Sequence, residues 1–438
     1  MVVHGGSLRL DIIPILKANP TILLLCISTA LLTSGQGMVA PILPLYADAL
    51  GVSTAMVGLV ISVFGLARFL TNMPAAIISE RFGRRVPLVA GPIVAALGNT
   101  LAGTADSLEF LLVYRFISGI GSAAFITGSV IFIGDISTPA NRGRMMSIYQ
   151  GSFALGISLG PAIGGIIAEL MGLRAPFFVV GILSLFSGIW AYFKVPESRT
   201  LTKTNQLTPS TYAQAVQPNA STDPGMPESK HSFFRSKGFI LIALVFFITF
   251  FSRGGAQFTL LPLKAAHDLN LSPGQIGAIF TIPPVIGFLL LPFAGSISDR
   301  YGRKKTIVPG LLIVSAALLI LGTSSLLILF VMGMALYGLG NGIEGPTPVA
   351  YVADISPRGH QGIAQGAARS IGDLAILMAP PAMGLAADMY GATTALVANG
   401  VAVGILGTIF LIFAKESNSP IHTTKKDTQS AEPRNSKK

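Results

Sequence analysis

Two stretches decide how this chain folds: Ala76-Ile77-Ile78-Ser79-Glu80-Arg81-Phe82-Gly83-Arg84-Arg85 and Gly295-Ser296-Ile297-Ser298-Asp299-Arg300-Tyr301-Gly302-Arg303-Lys304. Each ends an apolar run with an acid, then turns on a glycine between bases. Glu80 and Asp299, Arg81 and Arg300, Gly83 and Gly302, and Arg84 and Arg303 all stand 219 positions apart. The same register pairs Gly58 with Gly277, Gly119 with Gly338, Gly121 with Gly340, Asp135 with Asp354, Ser137 with Ser356, Pro161 with Pro380 and Gly165 with Gly384. One register sustained this far marks an internal duplication.

Around these turns the sequence is apolar. Of 438 residues 51% are hydrophobic and only 11% charged, whereas a soluble domain carries about a quarter charged residues. Windows of about 20 apolar residues read as membrane-spanning helices, and they fall at 20–46, 54–79, 86–104, 108–135, 143–171, 175–194, 238–264, 273–297, 305–323, 326–353, 361–387 and 392–414. The fold class that follows is an all-α integral membrane protein with twelve transmembrane helices. Six helices per half is an even number, so both halves cross in the same sense and are related by an axis along the membrane normal. The expected domains are a first six-helix bundle over 1–194, a linker over 195–237, a second bundle over 238–414 and a tail over 415–438.

The net charge of +11 belongs to topology. Of the 30 Lys and Arg, Arg174 and Lys264 fall on one side and Arg68, Arg115, Arg253 and Arg369 within helices, leaving 24 on the other side. The positive-inside rule then places both termini in the cytoplasm. Basic residues in short clusters between apolar runs argue against nucleic acid as a partner. The expected surroundings are the lipid bilayer of the cell membrane, with the protein as a monomer. The first apolar run is longer than a signal-peptide core and reads as an uncleaved helix. The linker, rich in Pro, Ser, Thr and Asn, reads as flexible and cytoplasmic. A single cysteine and five histidines outside the apolar runs offer no metal-ligand cluster. No cofactor is expected, and without any Gly-Lys dipeptide there is no phosphate-binding loop for ATP.

The twin turns resemble the loop signature of the major facilitator superfamily, a glycine, three residues, then Asp-Arg-x-Gly-Arg-Arg/Lys. The first copy departs from it with Ala76 for glycine and Glu80 for aspartate. The resemblance implies a cytoplasmic gate in which Glu80, Arg81, Gly83, Arg84, Asp135 and Arg144 latch one half, and Asp299, Arg300, Gly302, Arg303 and Asp354 the other. Simple anchoring by loop arginines is an alternative that can coexist with a latch.

Three further segments carry the resemblance. Arg115, followed by Gly119 and Gly121, resembles the family's second signature, in which the arginine assists proton transfer; its counterpart in the repeat is Met334, so the charge is confined to the first half. The bland alternative is an arginine that snorkels to the surface. Gly156-Ile157-Ser158-Leu159-Gly160-Pro161-Ala162-Ile163-Gly164-Gly165 matches the G-x-x-x-G-P-x-x-G-G signature that the superfamily associates with antiporters. Glycines four apart bare one helix stripe for close packing, and Pro161 removes a backbone donor and permits a bend; such a helix can seal against helix 8, or the stripe can be packing alone. Pro41 and Pro44 look like the first-helix motif of the twelve-helix drug/proton antiporters.

Arg68, Arg253, Glu344, Arg369 and Asp373 fall near span centres, where an ionisable group is a functional hypothesis by default. Arg369 and Asp373 are four apart and can pair on one face, and Arg253 is the expected neighbour of Glu344. Glu344 is the first choice of proton carrier and Asp373 the second, with a static buried ion pair as the alternative for each. Gln36, Asn72, Gln150, Gln257 and Asn341, with Arg68, Arg253 and Arg369, are candidates for a substrate cavity. The expected activity is not enzymatic: a secondary transporter working by alternating access, a proton-coupled antiporter that exports a small organic compound or drug, as the resemblance implies. Two alternatives stay open. Intramembrane arginines outnumbering acids suit uniport or symport of an organic anion, and a membrane sensor that moves nothing would lack flux altogether.

Overall fold

The computed structural model describes residues 20–137, 141–197, 233–357 and 361–417. Among the described residues, twelve helices are long and apolar enough to cross a membrane. They are α1 Pro20–Asp48, α2 Thr54–Phe82, α3 Arg85–Gly103, α4 Leu108–Ile136, α5 Arg142–Met171, α6 Ala175–Lys194, α7 Lys237–His267, α8 Pro273–Tyr301, α9 Lys304–Thr323, α10 Leu327–Ile355, α11 Gln361–Tyr390 and α12 Ala392–Phe413. No strand occurs among the described residues. Most of the linker and tail lies outside them.

The expected spans differ from these helices mainly at the basic turns. α2 and α8 run on past 79 and 297 because charge ends an apolar window without ending the hydrogen-bonded backbone. Gly83 and Gly302 stop them instead, at φ +102° and +108°, a left-handed region that glycine enters at little cost. At their other ends Ser53 caps α2, and Ser272 with Gln275 forms a reciprocal capping box on α8.

Two helices are irregular, both in the second half. Residues Ser252–Leu260 of α7 form a π-helical stretch, in which Thr259 Oγ1 donates to the carbonyl of Gly254 at 2.9 Å. Gly254 and Gly255 in this stretch lie against Ile376, Ala379 and Met383 of α11. α10 breaks after Glu344, where Gly345 takes φ +22° ahead of Pro346. Interrupted membrane helices free backbone groups and are tolerated where they line a cavity.

In the first half α1 packs on α5, α3 on α4 and α6, and α2 on α4; in the second α9 packs on α10 and α12, α8 on α10, and α7 on α11. The halves meet through α2 with α11 and α5 with α8. Large apolar side chains such as Leu170, Ile182, Phe193, Met332 and Ile412 are exposed, as a lipid-facing surface requires.

Candidate functional site

The contacts that join the halves use the repeat itself. A Cβ on Gly277 would lie 2.3 Å from the Pro161 carbonyl oxygen, and one on Gly165 would lie 2.5 Å from that of Pro273. Across the pseudo-twofold axis, a Cβ on Gly58 would lie 2.2 Å from the Pro380 oxygen, and one on Gly384 would lie 2.4 Å from that of Thr54. No side chain fits at such separations, so backbones touch directly. Carboxylates reinforce both contacts. Asp388 accepts the N–H groups of Thr54 and Ala55 at 3.0 and 2.9 Å, and Glu169 accepts from Ser272 Oγ at 3.1 Å beside the first turn of α8. Glu169 and Asp388 are again 219 apart. His267 and Asp48, 2.9 Å apart, add one more link. These contacts close the molecule at the end opposite the arginine-rich turns.

Above this seal lies a cavity of about 600 Å³. Its wall includes Gln36, Arg68, Asn72, Arg115, Arg253, Gln257, Asn341 and Asp373, with Phe64, Phe250, Phe258 and Phe280 as apolar faces. Gln150 and Arg369, expected in this wall, do not line it; both are exposed on the stretches nearer the basic turns. Helical phase alone could not tell the inward face of α5 or α11 from its flanks, since every face of a membrane helix is apolar. Gln36 Nε2 donates to Ser122 Oγ at 2.7 Å, and Thr127 Oγ1 donates to Asn72 Oδ1 at 3.3 Å.

The charges pair differently from expectation. Asp373 makes no ion pair within 4 Å of Arg369 among the described residues; it lies in the field of both Arg68, from the other half, and Arg369. Side chains four apart on a helix meet only if both turn that way; here both are exposed, Asp373 in the cavity wall and Arg369 outside it. Glu344 lies in the field of Arg253, the residue expected as its neighbour from another helix. It is 3% exposed and borders a smaller chamber of about 110 Å³, which shares Phe250, Arg253, Asn341 and Gly345 with the main cavity. Thr249 Oγ1 donates to Glu344 Oε1 at 2.8 Å, while Oε2 is buried without a hydrogen-bond partner. Gly310 of α9 makes room for this side chain: a Cβ there would stand 2.9 Å from that of Glu344.

Arg115 is 7% exposed and opens on the cavity instead of snorkelling to a surface. Its guanidinium lies over the Phe64 ring, 4.4 Å from the centroid, and its Nη1 reaches Asn99 Oδ1 only at 3.5 Å. Its Nε is buried and unbonded.

At the basic turns the two halves are alike in part. Arg84 bridges to Asp135 at 2.8 Å, and Arg303 to Asp354 at 3.0 Å. Arg303 also holds Asp299. The corresponding Glu80 is exposed and, like Arg144, makes no ion pair among the described residues. A glutamate at this exposed helix end has one more torsion to immobilise than the aspartate of the second copy. Arg81 and Arg300 lie over the rings of Phe82 and Tyr301.

Sequence reasoning missed two residues here. Glu197 accepts the N–H groups of Arg84 and Arg85 at 2.9 and 3.1 Å, and Glu416 those of Arg303 and Lys304 at 2.7 and 3.3 Å. Each carboxylate sits on the start of a helix, where free N–H groups and the dipole favour an anion. They fill the space beside Gly83 and Gly302, where a Cβ would fall 2.4 and 2.5 Å from the carboxylate oxygens. They too stand 219 apart, a signal that the repeat already carried.

The antiporter-like glycines of α5 divide between two neighbours. Gly156, Gly160 and Gly164 lie against α1, at Ala30 to Ser34, Gly37 and Met38, as does the ring of Pro161 at Gly37, while the Pro161 carbonyl and Gly165 face α8. The seal on α8 thus uses only the last part of the motif.

The sequence signature of the Major Facilitator Superfamily matches residues 25–263 and 242–436. An uncharacterised MFS-type transporter of Methanocaldococcus jannaschii is 24% identical over 86% of this chain and 93% of its own length. The quinolone resistance protein NorA of Staphylococcus aureus is 22% identical over 92% of this chain and 98% of its own. Among solved structures, a bacterial homologue of the human lysosomal transporter Spinster, inward-facing and occupied, superposes with a TM-score of 0.74 at 15% identity, covering 93% of this chain and 97% of that one. The chain is a multi-pass membrane transporter and belongs to the major facilitator superfamily.

Proposed function

We propose that this transporter is a proton-coupled antiporter that exports a small organic compound by alternating access, with Glu344 as its proton carrier. The observation that carries the reading is the setting of Glu344. It is a buried carboxyl at the break of α10, bonded through one oxygen to Thr249, with the other oxygen unpartnered and one arginine nearby. A buried, unpaired carboxylate oxygen is costly, and protonation relieves that cost. Arg253 on the irregular stretch of α7 and Glu344 at the break of α10 belong to the same half, so it is a local shift of these two interrupted helices during the cycle that brings the cation closer or takes it away and changes the proton affinity of the acid. The chamber of Glu344 adjoins the cavity through Arg253 and Asn341, so occupancy of one bears on the other. Asp373, between Arg68 and Arg369, is the second carrier in this reading.

The NorA resemblance and the helix 5 glycine signature support export over uptake. The contacts that close the end opposite the basic turns leave the basic side, which the positive-inside rule assigns to the cytoplasm, as the side from which the cavity collects cargo in this reading. Arg84 with Asp135, and Arg303 with Asp299 and Asp354, act as the latch between cycles. The test is proton release from sealed vesicles carrying an imposed pH gradient, with organic cations, anions and neutral compounds added in turn. Compound-triggered proton movement supports antiport; gradient-independent uptake of a labelled anion with no proton movement rejects it.

A further inference from the structure

The cavity wall carries four charged side chains, Arg68, Arg115, Arg253 and Asp373. Asp373 lies in the field of Arg68, and Glu344, in the adjoining chamber, lies in that of Arg253. Arg115 has no such partner: among the described residues no carboxylate is within 4 Å of it. A guanidinium buried inside a membrane protein is expensive unless a counter-ion or water compensates it. Here it is held in place, its plane on Phe64 and its Nη1 turned toward Asn99, with the Nε unbonded. It stands about two turns into α4, near the sealed floor of the cavity. Aromatic side chains, Phe64 and Phe280 among them, wall the space above.

We infer that Arg115 is the anchor for an anionic head group, and that the cargo is an organic carboxylate whose apolar or aromatic body lies among the cavity phenylalanines. The guanidinium presents donors in a planar fork that matches a carboxylate, and the cargo supplies the counter-ion that the protein withholds. The floor position also gives the anchor a part in the cycle, because an anion there neutralises the charge immediately above the backbone seal. The inference rests on the proposed reading of this cavity as the cargo site and is independent of proton coupling.

The test uses purified full-length protein in lipid nanodiscs at one fixed pH, with three probes of like size: 2-naphthoate, 2-naphthamide and 2-naphthylmethylamine. Binding to wild type, Arg115→Gln and Arg115→Lys is followed by calorimetry, and folding by thermal melting. The expected result is that naphthoate binds wild type at least about tenfold more tightly than amide or amine, as a charge-assisted pair implies. That preference falls to within about threefold in Arg115→Gln and is partly restored in Arg115→Lys, which keeps the charge without the fork. Preference for the amine or amide, no naphthoate binding to folded wild type, or an unchanged naphthoate preference in folded Arg115→Gln would each overturn the inference. If Arg115→Gln does not fold, Arg115→Lys decides alone: an unaltered naphthoate affinity contradicts a fork-shaped anchor, and a drop of about tenfold supports it. No pH gradient is present, so a failure of antiport leaves this result standing, and the reverse.

Discussion

The Asp388 carboxylate accepts the backbone N–H groups of Thr54 and Ala55 at 3.0 and 2.9 Å, joining the last turn of α11 to the first turn of α2 across the two halves. Alternating access requires this bond to break each time the closed end opens. Replacing it with Asp388→Asn keeps the shape and removes the charge, which at a helix start is worth about 1 kcal/mol. The sealed population should fall about fivefold against the open one, seen by pulsed dipolar spectroscopy as longer distances between spin labels at Met56 and Thr393. Acidification should act in the same direction on wild type, because a neutral carboxyl is the weaker acceptor, and should have less effect in the variant. Unchanged distances would remove Asp388 from the gate.

The backbone contacts at the seal make a sharper prediction. Gly277→Val and Gly58→Val put side chains where carbonyl oxygens already stand at 2.3 and 2.2 Å, and backbone cannot step aside as a side chain can. Each variant should keep its helical content and hold the closed end apart, so that transport is lost while labelling of nearby introduced cysteines rises.

Gly160 and Gly164 differ, because they lie against α1 inside one half. Gly160→Val or Gly164→Val overpacks a permanent interface, at about 1–3 kcal/mol each. Melting temperature in detergent should drop for these two variants and much less for Gly277→Val. An equal drop for all of them would mean that the seal is as permanent as the bundle core.

Glu197 and Glu416 cap α3 and α9. Glu416→Gln keeps an acceptor and loses the charge, so a loss of about 0.5–1 kcal/mol is expected, measured as a lowered denaturation midpoint that higher salt brings closer to wild type. Glu416→Ala should cost more, since it also leaves the Arg303 and Lys304 N–H groups without their acceptor.

The sequence carried the architecture because lipid imposes simple rules on it. Apolar length and basic loops located all twelve helices, and the register of 219 paired Gly58 with Gly277 and Pro161 with Pro380, the residues that turned out to touch across the seal. What it did not carry was rotation about each helix axis. Lipid, neighbouring helices and cavity all accept apolar faces, so nothing in the pattern put Asp373 in the cavity wall and left Arg369 and Gln150 outside it. The π-helical stretch of α7 was equally hidden, because it depends on how Gly254 and Gly255 meet α11. Glu197 and Glu416 escaped because they lie just beyond the ends of α6 and α12, where polar residues read as the beginning of a linker and a tail.

The most direct test of the account is proton release in sealed vesicles with a preformed pH gradient, comparing wild type with Glu344→Gln, which preserves the shape beside Thr249 and cannot carry a proton. The account predicts cargo-triggered proton movement by wild type and its loss in a variant that still folds and still binds cargo. Proton movement of equal size in both proteins would contradict it and remove Glu344 from the coupling.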